Sequence, residues 1–476
     1  MIKNQKTLSR FLLLIPIFFI LVIIVTAEKN PYHINGSDLN FDLLIFIGKG
    51  FFSDPFEPDL LTNTRSYTSI AGNIYQFFFS LPSNYSDLLK IYRIFNIVPF
   101  LFFIFYLIKK NNSELNYLFL LIIVVLSIGQ FHEHFINFTM KMTAVILFIY
   151  YSYILKYKKL YTIKKELSAI SFFSVFLYPL TLPAILMMTA VFKIKNFREW
   201  PSLILISIPS IILASFIAGY QFNGENTYNS YDPLYGTHNL HFMTWYIKRQ
   251  LTIYLTFETF LGLAFFIFYL SFLISKDEEL MKKLNKYKIF LFKLSFFIYL
   301  LYFFLTLIRN FEIQLPYYQY MDYFGMPIGF VWLVIFLSIK ISNYLMRNKK
   351  ILNLNPNFFL LLFVIGYFFS FYQLYSGSQY TENENKYVKN LEKKILENKK
   401  NFKNISCKIK IARFEIVHLR LLTNVNVLRP FGITFQNPYS KLDLPKYMKY
   451  VPGYSPKNYI FEKDIPNKDI LECIKK

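Results

Sequence analysis

The stretch "YLFLLIIVVLSIGQFHEHFINF", Tyr117 to Phe138, sets an almost wholly apolar run directly against His132, Glu133 and His134. A second apolar run, "FTMKMTAVILFIYYSYIL", starts at Phe138. Runs of roughly 17–23 apolar residues recur through most of the chain, the length that crosses a bilayer core. Of the 476 residues, 54% are hydrophobic and 20% aromatic, with only 15 Gly. A soluble chain of this length would divide into two or three domains. This one reads instead as an all-α polytopic membrane protein. His132, Glu133 and His134 then lie where one span ends and the next begins.

The formal charge of +23 invites nucleic acid as a partner. The placement of the cations argues for another cause. Lys109-Lys110 and the clusters at 156–159, 164–165, 193–198, 282–288 and 347–350 fall in short connectors between apolar runs. Basic short loops stay on the cytoplasmic side, so the pattern encodes orientation, and no nucleic-acid partner is expected. The amino terminus, "MIKNQKTLSRFLLLIPIFFILVIIVTAEKN", has a basic start and an apolar stretch longer than a signal-peptide core, so it reads as an uncleaved first helix.

Taking basic connectors as internal yields about 11 transmembrane helices. They cover 11–27, 91–108, 116–131, 138–155, a proline-broken pair across 166–195, then 201–219, 257–274, 289–308, 328–345 and 357–375. Pro179 and Pro183 interrupt a segment with basic residues on both flanks, which fits two short helices in a shallow hairpin better than one span. External loops fall at 28–90, with a surface helix near 70–82, and at 131–137, 220–256 and 309–327. Residues 1–375 form the transmembrane part. Residues 376–476 are polar, start with a helical pattern and continue with alternation typical of strands, as expected of a small extracytoplasmic α+β domain. Cys407 and Cys473 both lie there, and an oxidising compartment would permit one bridge between them.

All six His fall on the external side of this trace, together with the carboxylates of the first loop. Asp38, just beyond the first helix in "NGSDLNFD", has the position of a general base whose basicity partial desolvation would raise. The first four of these residues, "NGSD", are also good turn chemistry. In an extended stretch His132 and His134 point to one side and can share a metal, a divalent ion such as Mg or Mn, while Glu133 points the other way. Arg309, Arg249, Lys248 and Arg65 are candidate phosphate contacts. Tyr317, Tyr318 and His241 lie in aromatic-rich external loops suited to sugar rings. No phosphate-binding loop, dinucleotide fingerprint, zincin motif or nucleophile elbow is present. Carboxylates are scarce inside the spans, Glu258 excepted, which disfavours ion-coupled transport.

The order of features — one helix, a long first loop with an early Asp and a surface stretch, "YRIFNIVPFLFFIFYLIKK", an acid/His cluster, then a proline-broken pair — resembles the GT-C superfamily of membrane glycosyltransferases that use polyprenyl-phosphate sugars. The segment "GSDLNFDLLIFIGKGFF…RSYTSIAGNIYQFFFSLPSN…YRIFNIV" looks like the first loop of its mannosyltransferase-like members. The resemblance implies that Asp38 is the catalytic base, Glu133 or a neighbouring His the second-loop acid/His position, and Arg309 the late cation on the lipid phosphate. It further implies an inverting transfer of a hexosyl or pentosyl unit to a glycan, glycolipid or protein acceptor on the external face of a bacterial inner membrane. The chain lacks a "WWDYG"-like motif, which disfavours an oligosaccharyltransferase, and lacks the usual "YPP" of the first loop. An O-antigen polymerase or ligase, resting on Arg249 and His241, and a non-enzymatic transporter or scaffold are the alternatives.

Overall fold

The computed structural model describes residues 85–110, 113–128, 139–193, 197–222, 257–309, 320–347 and 356–376, with four short strands further on. Contacts divide the chain into two units. The first comprises Met1–Ile23, Asn96–Leu213 and Trp245–Ser376, and the second Ile24–Phe95, Ala214–Thr244 and Gly377–Lys476. The expected first helix, the surface helix near 70–82 and the 131–137 loop lie outside the described residues. So do most of the 220–256 loop and most of 376–476.

The described helices are α1 (Tyr85–Lys110), α2 (Ser113–Leu126), α3 (Thr139–Tyr157), α4 (Leu160–Leu177), α5 (Thr181–Lys193), α6 (Trp200–Phe222), α7 (Phe257–Lys276), α8 (Glu278–Arg309), α9 (Met326–Arg347) and α10 (Pro356–Ser376). A π-helical turn, Tyr320–Gly325, runs into α9. In the second unit, β1 (Lys408–Lys410) pairs in parallel with β2 (Thr434–Gln436), and β3 (Met448–Tyr450) pairs antiparallel with β4 (Tyr459–Phe461).

Among the described residues three helices are long and apolar enough to cross a membrane: Thr259–Lys276, Glu278–Leu305 and Tyr323–Arg347. Shorter apolar helices occupy Ile97–Leu107, Tyr117–Leu126, Thr181–Lys193, Trp200–Ser215 and Phe358–Phe368. The surface matches an apolar medium. Phe102, Phe105, Leu205 and Phe257 are 65–70% exposed, whereas soluble proteins rarely present a contiguous apolar exterior.

Several boundaries differ from the sequence expectation: α1 begins at Tyr85, inside the expected 28–90 loop, and α4 at Leu160 rather than 166. The run expected to span 116–131 ends as a helix at Leu126, where the Ser127 amide and hydroxyl both return to the Val124 carbonyl and tighten the last turn before Gly129. The charged connector ahead of the expected 289–308 span is itself helical, so α8 starts at Glu278. Asp277 caps it by accepting from the Leu280 amide at 3.0 Å, and Glu279 pairs with Lys283 one turn on at 2.8 Å. The expected 309–327 loop already contains the π turn and the first residues of α9.

α3 is the post around which the first unit packs. It is apolar on every side, and Ala144, Val145, Ile146, Phe148, Tyr150, Tyr151, Ile154 and Leu155 are fully buried. α4 runs back along it, with the Ser174 hydroxyl donating to the Ala144 carbonyl at 3.2 Å. At Pro179 the chain turns. A residue before proline is driven out of the α region, and Tyr178 sits at φ −154°, ψ 101°. Thr181 restarts the helix, its amide and hydroxyl both donating to the Tyr178 carbonyl. α5 then runs parallel to α3, with Thr189 bonded to Tyr151 at 2.9 Å and the Phe192 ring under Lys156. The pair is a hairpin, but a deep one. Its elbow reaches Lys141, at the far end of α3 from Tyr157.

The remaining helices alternate in direction. α6 runs parallel to α4 through Lys164–Ser202 and Ser171–Ser210 contacts. α8 and α9 are antiparallel, with Phe292 against Trp332 and Tyr299 against Gly325. α7 and α10 are antiparallel and cross closely at Gly262 and Gly366: a Cβ on Gly366 would lie 2.6 Å from the Phe265 ring and 3.3 Å from the Gly262 Cα. Most described cations therefore collect at one end of the bundle, hereafter the basic end.

That end is tied by Glu166 of α4, whose Oε1 accepts from Tyr106 at 2.8 Å and also from Lys110 and Tyr150. Lys110 reaches Tyr150 as well, at 2.8 Å. Burial alone would raise the Glu166 carboxyl. The bonds from Lys110, Tyr150 and Tyr106 outweigh it and hold the group below the ordinary carboxylate range.

Two stability outcomes are expected in detergent. Gly366→Val destabilises by about 1–3 kcal/mol through overpacking at the α7–α10 crossing, whereas Leu361→Ala on the exposed face of α10 changes little; thermal unfolding of each measures it. Glu166→Gln costs about 1–2 kcal/mol near neutral pH, the value of a partly exposed charge-assisted network. Because the folded carboxyl is depressed, that contribution exists above the unfolded carboxylate range and is lost as pH falls through the folded value. The gap in Tm between wild type and E166Q should close in acid.

Candidate functional site

At the end opposite the basic one, three elements meet. The first turn of α3 contributes Lys141, the elbow Tyr178, and the π turn Tyr323 and Phe324. The Lys141 Nζ lies 5.3 Å from the centroid of the Tyr323 ring and 5.9 Å from that of Tyr178. Those two rings meet edge to face at 6.0 Å, Tyr178 stacks on Phe324 at 6.0 Å, and Phe324 meets Phe148 of α3 edge to face at 5.5 Å. Tyr178, Tyr323 and Phe324 are buried and Lys141 is half-buried.

Local sequence explains each placement. Pro179 gives Tyr178 its extended backbone, which carries the ring off the α4 axis. The π turn opens on Tyr320 and closes on Gly325, where a Cβ would come within 3.1 Å of the Tyr299 ring. Glycine therefore lets the turn lie flat against α8. The Tyr299 hydroxyl meets the Met326 sulfur at 3.5 Å and pins the start of α9 to α8. π-helical turns concentrate at functional sites because they re-aim side chains within a helix. Chemically, the cluster presents one ammonium over two phenol faces at an otherwise apolar rim, an arrangement worth about 0.5–2 kcal/mol per cation–π contact depending on desolvation.

Arg309 is the last residue of α8. Asp38, Arg65, His132, Glu133, His134, His241, Lys248, Arg249, Tyr317 and Tyr318 lie outside the described residues, as do Cys407 and Cys473. Among the described residues no three His, Cys, Asp or Glu side chains come together as metal ligands. The described residues that follow two of the expected segments meet each other. Thr139–Lys141 follows His132–His134 by a few residues, and Tyr320–Gly325 follows Tyr317 and Tyr318. These flanks are the ones that touch through Lys141 and Tyr323.

Sequence reasoning missed Lys141 and Tyr178. The available signal was a single lysine in "FTMKMTAVIL", alone among apolar neighbours at the end of a run whose other end carries "KYKK". It also read the lysines at 156–159 only as markers of orientation. No family model, curated protein or solved structure matches this chain.

Lys141→Met should loosen the contact between α3 and the π turn without unfolding the bundle. Amide hydrogen exchange is expected to rise several-fold across 320–326 and to stay at the wild-type level across 284–294, in keeping with about 1 kcal/mol of cation–π attraction. Unchanged exchange at 320–326 would remove Lys141 from that role.

Proposed function

We propose that the chain is an integral membrane glycosyltransferase of GT-C type that moves a sugar from a polyprenyl-phosphate carrier to a glycan, glycolipid or protein acceptor. The observation that carries this reading is the contact of Lys141 with Tyr323. It supports a shared rim for the segment after His132–Glu133–His134 and the segment after Arg309, Tyr317 and Tyr318. With the basic end cytoplasmic by the positive-inside rule, that rim faces outward. The amino terminus is then internal, the membrane a bacterial inner membrane, and residues 376–476 an extracytoplasmic α+β domain.

The chemistry assigned to the rim is a single displacement at the anomeric carbon. Asp38 accepts the proton of the acceptor hydroxyl as its oxygen bonds to that carbon. The bond from the anomeric carbon to the phosphate oxygen breaks, and polyprenyl phosphate leaves with the electron pair, inverting the centre. Arg309, Arg249, Lys248 and Arg65 supply cations for the leaving phosphate. Tyr317, Tyr318 and His241 offer sugar and acceptor contacts, and Glu133 orients the acceptor or shares the proton. Imidazole and carboxylate at His132, Glu133 and His134 suit a borderline cation such as Mn better than Mg, which prefers all-oxygen sites. When bound, such an ion would supply additional positive charge beside the phosphate.

The test uses the full chain in membranes with a panel of polyprenyl-phosphate sugars, scored by release of the bare carrier. Asp38→Asn is expected to lower transfer about 10²–10⁴-fold at normal protein level, the usual contribution of a general base. Transfer at the wild-type rate removes Asp38 as base, and no release from any donor overturns the sugar-transfer reading.

A further inference from the structure

The basic end holds a second arrangement that sugar transfer does not use. Lys156, in the last turn of α3, places its Nζ 4.8 Å from the Tyr157 ring centroid, 5.5 Å from Phe290 and 5.6 Å from Phe192. Lys286 of α8 lies 4.4 Å from the same Tyr157 ring and 5.7 Å from Tyr153. Two ammoniums thus sit on one phenol ring. Lys293, two turns further along α8, is close enough for its charge to act on Lys156. Burial first, and then the charges of Lys293 and Lys286, push the Lys156 ammonium down to about 8. Two nearby lysines have carboxylate partners: Lys193 pairs with Glu199 at 2.9 Å, and Lys283 with Glu279. Among the described residues no carboxylate pairs with Lys156 or Lys293.

Depth identifies an anion suited to Lys156 and Lys293. The candidate span Glu278–Leu305 has 28 residues, roughly 42 Å at 1.5 Å each, against a hydrocarbon core of about 30 Å. Its first two turns therefore emerge at the basic end, and Lys286 stands near the headgroup boundary. Lys293 lies about 10 Å deeper. It is exposed, and so are its neighbours Ile289, Phe292 and Phe296 on the outer face of α8. A lysine there extends its stem toward the boundary, which narrows that offset and directs its ammonium toward the headgroups. An orientation signal needs only cations in water. Here one cation is drawn in among rings and another stands on the lipid-facing side.

We propose that Lys156, Lys286 and Lys293, on the platform of Tyr157 and Phe290, bind the phosphate headgroup of an anionic lipid in the leaflet at the basic end. The proposal rests on the membrane reading alone and is independent of sugar transfer. The phosphate oxygens accept from the three ammoniums, its negative charge offsets their mutual repulsion, and the acyl chains lie along Phe292 and Phe296.

Resistance to alkaline carbonate extraction checks the membrane reading separately. The full chain is then reconstituted in nanodiscs of phosphatidylglycerol and phosphatidylcholine, and retained lipid is counted by native mass spectrometry after release into detergent. Wild type should retain phosphatidylglycerol over phosphatidylcholine by about tenfold or more, as expected when each lysine near a headgroup contributes about a factor of five. Lys293→Gln alone, at an exposed position that does not threaten folding, should lower that preference severalfold. Lys156→Gln with Lys293→Gln should abolish it, and Lys156→Arg should keep it. Lys158→Gln with Lys159→Gln, exposed at the same end, should leave it intact. Equal retention of both lipids by wild type, an equal loss in the Lys158/Lys159 variant, or displacement of the lipid by millimolar inorganic phosphate would overturn the proposal, the last assigning the site to free phosphate.

Discussion

The steric exclusion at Tyr178 organises the first unit. Proline at 179 bars the preceding residue from helical geometry, and Tyr178 accordingly takes an extended backbone. From that one restriction follow the reversal between α4 and α5, the return of Lys193 to the end where α4 began, and a helix pair that clasps both sides of α3. The elbow keeps its backbone groups bonded. The Tyr178 amide donates to Ser174, and Thr181 donates twice to the Tyr178 carbonyl. A reversal in an apolar setting survives only with such compensation, since an unpaired amide there costs several kcal/mol, on the order of 2–7.

The reversal also separates two chemistries. At the basic end some cations have carboxylate partners, as in the Lys110–Glu166 and Lys193–Glu199 pairs, and others face rings, as at Lys156. At the other end Lys141 is held over two tyrosines. The ends are related as a charged anchor and an aromatic rim. On the sugar-transfer reading the rim serves the carrier's phosphate, while the anchor meets the lipids of the opposite leaflet.

Between them the packing is dense and mostly apolar. α3 has no face left for solvent or lipid, and α7 and α10 approach until two glycines nearly touch. Such crossings depend on small residues because apolar helices in an apolar medium gain chiefly by close van der Waals contact. Phe102 and Phe105 on α1, Phe292 and Phe296 on α8, and Phe358 and Phe368 on α10 face outward, while Phe100, Phe290 and Phe363 on the same helices are buried; the outward set is the inverse of a soluble fold.

Local rules in the sequence marked the helical class of the described part and the interruption at Pro179, because bilayer length and proline geometry act within one stretch of chain; the bias of Lys and Arg supplied the expected direction of the runs. They also marked "DEELMKKLNKYK" as polar, yet polarity alone did not reveal that Asp277 would cap it into α8. Tertiary structure decided which residues meet. Lys141 is separated from Tyr323 by much of the chain, and Lys156 from Lys286 likewise. Whether a lysine becomes a solvated marker, a partner of Glu166 or a cation over two rings depends on which helix packs beside it. That choice is made by shape and close contact between distant segments, and no periodicity within one segment encodes it.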